Sequence, residues 1–125
     1  MIFKFGNFDL TPYIQARKYK IRPNARQDLN SYTDANGLTH RNAMPHTKTI
    51  VSFSTIPMQK EEKMLFMQRI RENYLNDLER DADCSYYDEE WDVVKEGHFY
   101  LDPNLEFVIN TEGEYEEISM TFTEY

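Results

Sequence analysis

Glu116-Glu117-Ile118-Ser119-Met120-Thr121-Phe122-Thr123-Glu124-Tyr125 alternates with a period of two. Ile118, Met120 and Phe122 share one face, and Ser119, Thr121 and Thr123 share the other. This is the pattern of a half-buried antiparallel strand. Leu105 to Asn110 repeats it, with Leu105, Phe107 and Ile109 on one side, and the turn Thr111-Glu112-Gly113-Glu114 joins the two. Before them, Gly97-His98-Phe99-Tyr100-Leu101 reads as a strand that ends at Asp102-Pro103-Asn104.

Upstream the period changes. Met64, Met67, Ile70, Arg71, Tyr74 and Leu78 recur at three- and four-residue steps, widened by Leu65, Phe66 and Leu75. The spacing predicts a helix over about 59–78, with its Met-rich stripe on a sheet and Glu61 and Glu62 in the first turn, where they suit the helix dipole. At the front, Ile2 to Leu10 reads as strand sequence around a Gly6-Asn7 turn. Tyr19-Lys20-Ile21-Arg22 reads as a short strand ended by Pro23, and His46 to Ile56 as another stopped by Pro57. Between these lies a polar arm, residues 24–45, rich in Asn, Ser, Asp and Gly. Asn36-Gly37 would serve as its tip in a long open hairpin, and disorder in the isolated chain fits the composition equally. Asp77 to Asp92 is acidic and reads as a solvated edge or loop. The expected fold class is α+β: mainly an antiparallel β-sandwich or curled sheet, with one flanking α-helix and a long extended loop. One domain should span 1–125.

At 125 residues and 40% hydrophobic, with much of that fraction Tyr and Met, the core should be small and aromatic-rich. No apolar run is long enough to span a bilayer and Met1 leads straight into strand sequence, so the reading is a soluble protein without an export signal and without a membrane partner. The single cysteine, Cys84, forms no internal disulfide and sits among acids, so it reads as a small buried hydrophobe. The net charge of −8 is unevenly spread: residues 1–50 carry +5 and residues 51–125 carry −13. Net negative charge argues against nucleic acid as a partner. The two halves could attract head to tail between subunits, or their charges could mix on the folded surface.

Searches for chemistry fail. There is no phosphate loop, no serine elbow and no His-Glu-x-x-His. His40 and His46 match no common ligand spacing, and the acidic stretch 77–92 lacks the glycine of a calcium loop. No catalytic residue, cofactor or metal is expected, and the chain does not read as an enzyme. An arm of about twenty residues in so short a chain either is disordered or lies against a partner. The candidate interface residues are Arg26, Tyr32, Asn36, Gly37, His40 and Arg41, with the two arginines seeking carboxylates on a neighbouring copy.

The order of parts resembles small structural proteins of tailed bacteriophages and prophages of Gram-positive hosts, in the tail-tube-fold group. The likeness rests on Gly6-Asn7 followed by Asp9-Leu10-Thr11-Pro12-Tyr13-Ile14, on Gly37-Leu38-Thr39-His40-Arg41, and on the two segments His98 to Leu101 and Ile118 to Glu124. The resemblance implies a β-sandwich with a flanking helix and a long loop that crosses to a neighbour. It also implies self-assembly into rings, often hexameric, beside other phage tail proteins. The expected place is the virion tail, after synthesis in the host cytoplasm. A head-to-tail connector or tail-completion protein is the alternative, and a small-ligand-binding module a distant third.

Overall fold

The computed structural model describes residues 2–28, 32–33, 35, 37, 39–40 and 43–125; side chains are described at 2–25, 35, 37 and 47–125. Its strands are β1 (Phe3–Phe5), β2 (Phe8–Asp9), β3 (Lys20–Asp28), β4 (Tyr32–Thr33), β5 (Thr39–His40), β6 (Ala43–Ser54), β7 (Asp81–Asp88), β8 (Val93–Leu101), β9 (Glu106–Ile109) and β10 (Tyr115–Glu124), with one helix, α1 (Lys60–Glu72). Eight strands form one antiparallel sheet in the order β2-β1-β7-β8-β10-β6-β3, with β9 also on β10. β4 and β5 pair separately.

The sheet rolls over on itself. β1 and β10 are three strand intervals apart, a separation of about 14 Å if the sheet were flat. Yet the rings of Phe3 and Phe122 have centroids 4.9 Å apart, and Phe5 lies 5.1 Å from Phe122. The buried face therefore curls around an aromatic centre made by Phe3, Phe5, Phe53, Phe99 and Phe122. As the alternation predicts, Ile118, Met120 and Phe122 all point inward. Helix α1 closes the remaining side with Phe66, Met67 and Ile70. Phe66 meets the Phe8 ring edge to face and the Tyr13 ring at a tilt, and the Arg69 guanidinium lies 4.5 Å above the Phe8 ring.

Strand β6 begins at Ala43 and ends at Ser54 where the sequence reading had His46 to Ile56, and four further differences matter more. The helix stops at Glu72, not near Leu78, because Asn73 and Asn76 divert their side chains to backbone groups. Asn73 Nδ2 donates to Arg69 O, and Asn76 Oδ1 accepts from Leu78 N. Leu75 and Leu78 consequently lie exposed. On the helix itself Met64 and Leu65 also face outward. Second, Pro23 does not end its strand. β3 continues to Asp28, with a register shift between Arg22 and Ala25 that takes up Pro23 and Asn24. β3 is the outermost strand, so a residue without an N–H is tolerated there, and Asn24 adopts a left-handed φ of 53° that asparagine accommodates. Third, the middle of the acidic stretch is not a solvated edge, although residues 77–79 and 89–92 at its ends are exposed turns. Asp81–Asp88 is β7, paired on both sides, with Ala82, Cys84 and Tyr86 buried. Burial pushes the Cys84 thiol up to about 12, so it is inert packing. Fourth, β8 begins at Val93, before Gly97.

Gly6 turns β1 into β2 with φ +60°, and a Cβ there would lie 2.5 Å from Asn73 Oδ1. That oxygen accepts the Asn7 N–H at 2.8 Å and so ties the turn to the end of α1. Gly6→Ala is expected to lower stability by about 1–3 kcal/mol, read by thermal or urea denaturation. A neutral result would mean that the turn and the helix end are not coupled.

Candidate functional site

The arm is a hairpin built on the longest strand of the sheet. β6 has 12 residues, but among the described residues β10 pairs only with Ile50–Ser54. Toward its start β6 pairs with β3 alone: Ala25 opposite Lys48, Arg26 opposite Thr47 and Asp28 opposite Ala43. Further along, Tyr32 pairs with His40 and Thr33 with Thr39. The connecting stretch holds Gly37 at φ +81°, with open space around its Cα. A two-stranded ribbon is marginally stable on its own in water.

Of the six interface candidates, Arg26, Tyr32 and His40 are placed by their backbones in the ladder, and Gly37 in the exposed connection. Asn36 and Arg41 lie outside the described residues, as do the side chains of Arg26, Tyr32 and His40. His46, just past the arm, likewise has no described side chain.

A polar latch that sequence reasoning missed holds the root of the arm. Asn24 Nδ2 donates to Asp88 Oδ2 at 2.7 Å and to Glu90 Oε1 at 2.9 Å, while Asn24 N donates to Thr49 Oγ1 at 3.1 Å. Thr49 N in turn donates to Glu124 Oε1 at 2.9 Å, and Thr49 Oγ1 lies 3.4 Å from the Tyr86 hydroxyl. Lys95 Nζ sits 2.8 Å from Asp88 Oδ2, and Asp88 Oδ1 accepts from Glu90 N and Trp91 N. β3 and β7 lie four intervals apart in the sheet, so this contact is made possible only by the roll. Burial alone would raise the Asp88 pKa. Its bonds with Lys95, Asn24 and two backbone N–H groups overcome that and hold it at about 2.

A second cluster lies on the outer face. His98 Nε2 is 2.7 Å from Asp81 Oδ2 and His98 Nδ1 is 2.9 Å from Asp83 Oδ1. Ionised carboxylates only accept, so when the ring is protonated both of its nitrogens can donate, one to each aspartate. The bond to Asp83, aided by Asp81 and opposed by burial, raises its pKa. Both ring nitrogens are thus engaged by carboxylates. Among the described residues, no group of three His, Cys, Asp or Glu side chains could hold a metal ion. None of the described helices is long and apolar enough to cross a membrane, which leaves spanning by strands untouched. A cleft of about 690 Å³ lies against the end of α1 and is lined by Met67, Arg71, Tyr74, Arg80 and Leu105 among others.

The sequence pattern of a family of unknown function, DUF6711, matches residues 1–125. No curated protein and no solved structure matches the chain.

Proposed function

We propose, from the premise that the chain belongs to the DUF6711 family and that this family brings no assigned activity, that it is a non-catalytic subunit of a bacteriophage or prophage tail, assembling with copies of itself through its arm. The observation that carries the reading is the β3–β6 ribbon, latched at its root to Asp88, whose outer stretch from Arg26 opposite Thr47 onward pairs only with itself among the described residues. Such a ribbon gains order by β-addition to, or wrapping around, a neighbour. The charge split supports the same reading, since the arm belongs to the positive half of a chain whose remainder is strongly negative. In this reading the two flanks of the rolled sheet, facing each other across Phe3 and Phe122, are the layers of a tail-tube-like sandwich. Rings are the expected product and the virion tail the expected place.

The test is removal of residues 26–42, which leaves Asn24, Thr49 and Asp88 in place. The wild type is expected to form rings or tubes at high protein concentration, seen by light scattering and electron microscopy, and to fall apart as salt rises. The shortened chain is expected to stay folded and monomeric. A wild type that never assembles, or a shortened chain that assembles as well as the wild type, would overturn the proposal.

A further inference from the structure

Two of the sheet's free edges, β9 and β3, are complementary; β2, paired only with β1 among the described residues, is a third. β9 pairs only with β10 and β3 only with β6 among the described residues. Because β9-β10-β6-β3 alternate in direction, β3 runs opposite to β9. Copies set side by side therefore bring β3 of one antiparallel to β9 of the next, with the same face inward.

The side chains fit that register of faces. Phe107 lies opposite buried Ile118, and Ile21 opposite buried Val51, so both belong to the inner face. On the outer face are Lys20 and Arg22 of β3, and Glu106 of β9 with Glu117 beside it on β10. Around these, Arg17, Lys18, Lys20 and Arg22 are all exposed, and none makes an ion pair among the described residues. Residues 102–117 carry six acids and no Lys or Arg. β9 itself is left unusually bare, with Phe107, Val108 and Ile109 exposed at 37%, 40% and 52%. An apolar edge of that kind is a template for another strand.

We infer that β9 is the docking edge for β3 of a second copy, with Ile21 beside Phe107 and Ile109 inside and Lys20 and Arg22 beside Glu106 and Glu117 outside. The inference rests on the assembly proposed above and names its receiving surface. The contact is heterologous, and repeated head to tail it closes into a ring when the rotation permits. Four residues of edge bury too little for a stable interface alone. The arm beyond Ala25 supplies the rest.

Charge reversal tests it. Glu106→Lys with Glu117→Lys, and separately Lys20→Glu with Arg22→Glu, place like charges at the junction. Each pair is expected to raise the protein concentration needed for assembly by about tenfold or more. The chain with all four substitutions restores complementarity and is expected to assemble again, which a merely misfolded variant would not do. Assembly unaffected by either pair, or no recovery in the fourfold variant, overturns this junction. If removal of residues 26–42 still abolishes assembly in that case, the arm reading stands and only the β9 edge is wrong. If neither change affects assembly, both fall.

Discussion

Phe122→Ala is expected to destabilise the protein by about 3–5 kcal/mol, the largest effect of any single truncation of this core. Phe122 is fully buried and its ring is within 6 Å of Phe3, Phe5 and Phe53, at 4.9, 5.1 and 5.8 Å. These partners come from β1 at one flank of the sheet and β6 at the other. The ring thus holds the roll closed as well as filling volume. Truncation leaves a space that neither flank can collapse into without unrolling the sheet, so little of the cost is recovered by relaxation. Thr123→Ala, the next residue and on the opposite face, should change stability by only about 0.5 kcal/mol. Urea denaturation of the two variants beside the wild type measures both. Equal, small losses would mean that β1 and β10 do not face each other across this ring.

The rolled sheet is partly legible in the sequence. Ile118, Met120 and Phe122 announce their strand because nothing but the period-two pattern varies along it, and the structure buries all three. Gly6-Asn7 and Gly37 similarly mark connections between paired strands. β7 was hidden by its own composition. Its acids at Asp81, Asp83 and Asp88 invite a solvated reading, but the inward set Ala82, Cys84 and Tyr86 keeps strict alternation. Charge count and burial pattern conflict there, and burial decides. The end of α1 was hidden differently, since Tyr74 and Leu78 extend the helical period past two asparagines that terminate it through their side chains.

The candidate site divides along the same line. Local turn chemistry allows the arm to be a hairpin but fits disorder equally, and the paired strands decide between them. What fastens it is not legible locally, because Asn24 and Asp88 are 64 residues apart and meet only after the sheet has rolled. No short-range signal distinguishes Asp88 from its acidic neighbours Glu89 and Glu90. The one local hint is geometric: Asp88 Oδ1 accepts the N–H groups two and three residues on, as aspartate does at a tight turn. The junction between edges is likewise a property of topology. It requires knowing that β9 and β3 lie on opposite sides of the β10–β6 pair.

Asp88→Ala is expected to cost about 2–3 kcal/mol and to loosen the arm selectively. The carboxylate is fully buried and binds Lys95, Asn24 and two backbone N–H groups, so truncation leaves those donors unsatisfied. The Lys95 side chain is 36% exposed and can turn to water, which keeps the loss at the lower end of the range for a broken buried pair. Acid should reproduce the effect in the wild type. The folded pKa of Asp88, about 2, lies below its ordinary value of 3.8, so the folded state favours the ionised form. Its contribution is therefore complete above about pH 4 and is lost as the pH falls through about 2. Other carboxylates titrate in the same window, so the measurement is a difference: stability of the wild type minus that of Asp88→Asn, followed from pH 5 to 2. The gap should shrink toward zero as the pH drops. At neutral pH, hydrogen exchange in Asp88→Asn should quicken at Ala25 and from Lys48 to Ile50 while Val51, Phe53 and Phe122 stay protected. A gap that does not change with pH, or exchange that rises evenly through the sheet, would show that Asp88 stabilises the whole fold without holding the arm to it.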